Sequence, residues 1–320
     1  MQFNRYIALP KSSLFNHKLF FIFRLAMFGL IAVYLWQTVV ANQKLLLDLG
    51  SVNVRWHAYE FFLLLLTFIL LPVNWLLEAL KWQVIAAAAN LSLRQAIKGV
   101  VLGLTLDNVL PLGTGAISGR IISLPDEHRI RLIPGVLAGQ IMQSLITLVF
   151  GLYGFWLVWS KASSLFLWQP INTFFVLGII VVIALAGIFW QSKIGKFLAP
   201  LWHYSIRSWR IIFGYSFLRY LIFLAQFMIL SVIFTSEIET TLVFACATWV
   251  FAAKTFMPKI SNLEKLGIRA LAVVFFMNLF GLPVTGMLMT VIILWFINLA
   301  IPSIVGLVLL KELKTDSQMK

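Results

Sequence analysis

The chain has 320 residues, 61% of them hydrophobic and 11% charged, with a mean hydropathy of +0.96, which lies outside the soluble globular range. A spanning helix takes about 20 apolar residues, so the length allows roughly seven or eight spans of an all-α, polytopic membrane protein and leaves little for a soluble domain. The net charge of +14 does not point to nucleic acid, because no basic run alternates with exposed aromatics; it reads as the positive charge of cytoplasmic loops.

Residues 1–18, with Arg5, Lys11 and Lys18, read as a cytoplasmic N-terminal segment. The apolar run from Leu19 to about Ala41 is too long for a signal core and ends without a small-residue cleavage site, so it reads as a retained first span. A second span is expected over 58–80. Near its end Glu78 and Lys81 sit three apart on one helical face. They read either as an interfacial ion pair or as a Glu78 that faces an internal cavity. The stretch 82–98, with Arg94 and Lys98 and with Ser92 as a helix cap, reads as an interfacial amphipathic helix.

The segment 99–124 organises the rest. Within an apolar run it carries Asp107, Asn108, Pro111, Gly113, Gly115, Gly119 and Arg120. Pro111 removes a backbone donor and the three glycines loosen the turns after it, so a break is expected there. Broken backbone at membrane depth is tolerated where it is buried in protein or lines a wet cavity, and transporters hold substrates at such breaks. Two arms flanking Pro111 are each too short to span, so the segment is expected to be re-entrant.

After a polar loop at 125–131, a span is expected over 133–159, opened by Pro134, with Gly135 and Gly139 at close-packing spacing. Gln140 and Gln143 on it suit interhelical hydrogen bonds or a place near substrate. Further spans are expected at 171–190, 211–234 and 239–256, with a basic aromatic interfacial stretch at 191–210. The loop 257–269 returns to Pro, Gly and Arg. Residues 270–310, interrupted by Gly281, Pro283 and Gly286, read as two spans folded into a hairpin, and 311–320 as a charged cytoplasmic tail.

The count comes to about eight transmembrane helices plus the re-entrant segment, in one membrane domain over 19–310. With the N-terminus cytoplasmic, only Lys44, Arg55 and Lys161 of the 25 Lys and Arg fall outside. A full crossing by 99–124 would instead turn Lys193, Lys196, Arg207 and Arg210 outward together. The order Pro111, Gly119, Arg120 returns as Pro258, Gly267, Arg269, a pattern that fits either a structural repeat or two ordinary turns.

Three stretches carry a family resemblance: 78–99, the block LDNVLPLGTGAISGRIISL at 106–124, and LGIRALAV at 266–273. On them the chain resembles the lysylphosphatidylglycerol synthase transmembrane family, the flippase-like membrane region also found as stand-alone proteins. Asn108, Pro111, Gly113, Gly115 and Arg120 match its second block, and Gly267 and Arg269 its third. Ala116, Ala270 and Gln140 stand where or near where that family has acidic residues. Relatives that synthesise aminoacylated lipid carry a soluble transferase domain after the membrane region, so a chain ending at Lys320 is not expected to be that synthase alone. The resemblance implies movement of a modified phospholipid between leaflets, and residence in a bacterial inner membrane.

The expected function is therefore a lipid flippase-like or lipid-headgroup-binding transporter. The alternative is a non-transporting accessory subunit of a lipid- or glycan-modifying enzyme, favoured by the missing acidic positions. Arginines suit bidentate phosphate contacts and exposed amides near glycines suit anions. The expected substrate-binding residues are thus Glu78, Asp107, Asn108, Pro111, Gly113, Gly115, Arg120, Gln140 and Arg269. Asp107 and Arg120 also read as a structural ion pair. An intramembrane enzyme is not expected: His17, His57, His128 and His203 are scattered, and no nucleophile has a nearby base. The expected partners are membrane phospholipids and a lipid-modifying enzyme, with no cofactor, no metal and no nucleic acid.

Overall fold

A computed structural model describes residues 56–110, 114–122, 124, 126–163, 201–202, 204–235, 237–256 and 262–318, all within one unit running from Asp48 to Lys320. The spans expected at 19–41 and 171–190, and the cytoplasmic segment 1–18, lie outside the described residues.

Helix α1, Ala58–Ile85, is opened by Glu60, whose carboxylate accepts the backbone N–H of His57 at 2.9 Å. A 3-10 turn at Ala87–Ala89 and Asn90, in a left-handed conformation at φ 46°, turn the chain back. Helix α2, Leu93–Val109, then starts at Ser92, whose hydroxyl accepts from Gln95 N while the Gln95 side chain accepts from Ser92 N at 2.9 Å. The expected cap at Ser92 is therefore formed. The interfacial helix expected over 82–98 is not: α1 runs on to Ile85, and Ala96, Val100, Val101 and Leu102 of α2 are buried. Arg94 and Lys98 belong to the more polar side of a helix whose small apolar side is core.

Helix α3, Thr114–Ile122, comes after the break and packs antiparallel on α2. Its glycines make this approach possible. A Cβ on Gly119 would fall on the backbone of Gly103 and Leu102, and one on Gly115 on the backbone of Leu106 and Asp107. The arms are about 25 and 14 Å long at 1.5 Å per residue, and the hairpin returns to the end it started from. Within the stretch 99–124, expected to be broken, the backbone forms a helical hairpin, its first arm beginning at Leu93 rather than at 99.

Helix α4, Asp126–Ser163, is continuous. The polar loop expected at 125–131 is for the most part its first turns, and Pro134 lies inside it rather than at its start. Gly135 and Gly139 do pack closely, against Ile85 of α1. The Tyr204 hydroxyl donates to the Ile85 carbonyl at 2.7 Å, and burial raises its pKa, so it remains the donor. Ile85, Leu91, Leu124, Leu132, Val136 and Ile212 share one core cluster, which fixes the end at which α1 stops and the hairpin and α4 begin.

Helix α5, Ile206–Phe234, is capped by Ser205, so 206–210 open a long apolar helix rather than closing an interfacial one. Helices α6, Thr240–Phe256, and α7, Asn262–Leu279, pack on each other. After a turn in which Gly281 takes φ +62°, helix α8, Thr285–Trp295, passes through a π turn at Phe296–Ala300 into helix α9, Ile301–Gln318. The fold-back expected over 270–310 is present with its first arm starting at Asn262, but only the second arm has the length expected of a span, and the backbone of the expected tail is helical to Gln318.

The protein is thus an all-α membrane protein. Among the described residues, four helical segments are long and apolar enough to cross a bilayer: 58–85, 127–159, 206–234 and 285–309. Helices at 240–255 and 266–279 are apolar but shorter.

Candidate functional site

The polar interior is built on the α1 to α5 seam. The two helices run antiparallel, so residues of α1 meet residues of α5 in reverse order: Lys81 with Ser216, Glu78 and Asn74 with Arg219, Thr67 with Gln226. Helical spacing puts Asn74, Glu78 and Lys81 towards the same neighbour.

Glu78 is the centre. Its Oε1 accepts from Arg120 Nη2 at 2.5 Å, and its Oε2 from Arg219 Nη1 at 2.5 Å and from Lys81 Nζ at 2.7 Å. The side chains are 5% exposed for Glu78, 3% for Lys81, 9% for Arg120 and 14% for Arg219, so bulk water screens the group poorly. Arg219 also donates from Nε to Asn74 Oδ1 at 2.7 Å, and Lys81 lies 3.4 Å from Ser216 Oγ. Arg120 donates a further bond to the Ala116 carbonyl at 2.8 Å, which ties it to its own helix. The Phe223 ring has Arg219 5.5 Å and Lys254 5.3 Å from its centroid, extending the cationic surface towards α6.

Three cations from three helices therefore share one carboxylate. Lys81 and Arg219 against Glu78 alone leave one positive charge in excess. Buried charge without compensation is costly, and an anionic group is what such a site holds best.

The expected site residues divide around this centre. Glu78 and Arg120 are brought together. The Glu78 to Lys81 pair forms, but it is buried and shared by two arginines, which replaces the interfacial pair expected from spacing. Asp107 is half-buried on α2, and Gly115 is buried where α3 crosses the backbone of Leu106 and Asp107. Pro111, Gly113 and the Asn108 side chain lie outside the described residues. Gln140 is half-buried on α4, next to Gly139, and makes no hydrogen bond to the Glu78 group. Arg269 is 6% exposed, its Nε and Nη1 have no hydrogen-bond partner among the described residues, and nothing links it to Glu78.

Arg219, Asn74 and Ser216 are not among the residues expected from the sequence. A signal for one of them exists: Arg219 is an ionisable residue well inside an apolar helix, where such residues face the protein interior and mark function. Further along the seam, Gln226 donates to the Thr67 carbonyl at 2.9 Å and accepts from Asn298 at 2.9 Å, binding the π turn to α1 and α5. A cavity at the other end of the bundle, lined by Phe234, Thr235, Glu237, Ile238, Pro283 and Gly286, contains none of the expected residues.

No family model, no curated protein and no solved structure matches this chain, so the functional reading stands on the geometry around Glu78 and on the motifs of the sequence.

Proposed function

We propose that this protein is a lipid flippase-like or lipid-headgroup-binding membrane transporter whose headgroup site is the Glu78 cluster. The observation that carries this reading is the convergence of Lys81, Arg120 and Arg219 on one buried carboxylate. Guanidinium groups bind phosphate oxygens through paired N–H donors. One of the two arginines, Arg120, sits on the second arm of the broken hairpin, so movement of that hairpin would couple to release of an anion. The motif resemblance at 106–124 and 266–273 agrees with a lipid as the substrate.

The test is a fluorescent-phospholipid leaflet assay in liposomes, comparing wild type with Arg219→Gln and Arg120→Ala at matched insertion. Accelerated translocation that both substitutions abolish is the expected result. No translocation of anionic or aminoacylated phospholipid by the wild type would overturn the transporter reading.

A second reading has its own support. Glu78 already bonds all three cations, which is how a permanent clamp between α1, α3 and α5 would be built. On that reading the protein is a non-transporting accessory subunit, and it would copurify with a lipid-modifying enzyme while moving no lipid alone.

A further inference from the structure

The donors around Glu78 outnumber the acceptors, and the imbalance has a direction. Asn74 is 2% exposed, one turn before Glu78 on α1. Its orientation is set by Arg219: a carbonyl oxygen can accept from the guanidinium Nε, whereas the amide nitrogen turned that way would oppose donor to donor. The amide nitrogen is thereby left buried without an acceptor among the described residues. It belongs to the same planar group as the oxygen that holds Arg219, so it lies beside that guanidinium. Arg219 uses Nε on Asn74 and Nη1 on Glu78, and Nη2, on the same edge as Nε, makes no bond to the described residues. One turn beyond Glu78, the indole N–H of Trp82 is also buried without an acceptor among them.

From this arrangement we infer that Asn74 is the neutral donor of a phosphoryl-oxyanion site, one anion oxygen accepting from Asn74 Nδ2 and another from Arg219 Nη2. The inference rests on the headgroup-site reading above and adds a specificity-determining residue to it. Two terminal oxygens are needed to meet both donors, which a phosphodiester or inorganic phosphate supplies and a halide does not. The excess positive charge of Lys81 and Arg219 over Glu78 supplies the attraction. The amide adds a directional donor without adding charge. An aspartate at position 74 would keep the acceptor for Arg219, remove the donor and cancel the excess charge.

The test uses the full chain in neutral detergent, with calorimetric titration of dibutyryl-phosphatidylglycerol, inorganic phosphate and, as the uncharged control, dibutyrylglycerol. Wild type is expected to bind the phosphatidylglycerol probe and not the control. Asn74→Asp is expected to weaken that binding at least tenfold without lowering the unfolding temperature measured in the absence of probe. Asn74→Ala, which carries no charge, is expected to weaken binding in the same direction and serves if Asn74→Asp does not fold. Competition by inorganic phosphate would identify the bare phosphoryl group as sufficient, and binding of the lipid probe alone would identify the lipid as the source. Asn74→Asp and Asn74→Ala binding like wild type would overturn the role of Asn74 and leave the headgroup site standing. A wild type that binds neither phosphorylated probe would overturn both.

Discussion

Arg120 and Arg269 occupy matching places in the sequence and opposite ones in the structure. Each lies about two turns past the start of its helix, close to a glycine and downstream of a proline in the sequence. Each is buried. Arg120 reaches Glu78 on another helix, whereas Arg269 meets no carboxylate among the described residues and leaves two guanidinium nitrogens unbonded there. Similar local motifs thus place an arginine in the interior, and only the neighbouring helix decides whether its charge is met. A single acidic residue on α1, in a chain with 11 Asp and Glu against 25 Lys and Arg, creates the difference.

That contrast can be broken most forcefully from the acidic side. Glu78→Gln leaves buried Lys81 and Arg120 and half-buried Arg219 without their carboxylate, and removing one partner of a buried pair costs about 3–5 kcal/mol. The expected result is a steep loss of folded protein and of unfolding temperature in detergent. A variant as stable as wild type would mean that the three cations do not depend on Glu78.

The two arginines should also respond with opposite signs. Replacing an unpaired buried charge by an apolar side chain recovers desolvation energy, on the order of 2.5–3.5 kcal/mol on membrane-insertion scales. Arg269→Leu should therefore raise the unfolding temperature, while Arg120→Leu should lower it. Equal changes would remove the distinction. Enlarging the hairpin interface sharpens it from another side: Gly119→Val forces α2 and α3 apart, at a cost of about 1–3 kcal/mol for overpacking, and draws Arg120 from Glu78 without touching either residue. The smallest effect is expected at Ser92→Ala, where loss of the α2 cap should cost about 1 kcal/mol and leave lipid movement unchanged.

What could be read from the sequence was mostly local. The break near Pro111, the cap at Ser92, the close approach of Gly135 and Gly139 and the turn near Gly281 each come from one residue's backbone chemistry, and each is present. Helix ends were less legible. Residues 126–131 are charged and polar, which suits a loop, yet they extend α4 beyond the apolar stretch. The stretch 82–98 carries Arg94 and Lys98 at helical spacing, and that polarity hid the small apolar face of Ala96 and Val100.

The site was half legible. Glu78 and Arg120 stood out as charges in apolar surroundings, but they are 42 residues apart, and Arg219 is 141 residues from Glu78. Such pairings arise from how α1 packs on α5 and on α2, with α3 held against α2, and no local motif encodes that packing. Arg269 was singled out by the same motif as Arg120, and packing separated the two.

The most direct test of the shared carboxylate is a double-mutant cycle on unfolding free energy in detergent, using Glu78→Gln, Arg120→Gln and the double variant. Neighbours in one buried network couple by about 0.5–3 kcal/mol. The geometry predicts a coupling in the upper part of that range, with the double variant more stable than Glu78→Gln alone. Additive losses from the two substitutions would contradict it, because Arg120 would then not be held by Glu78.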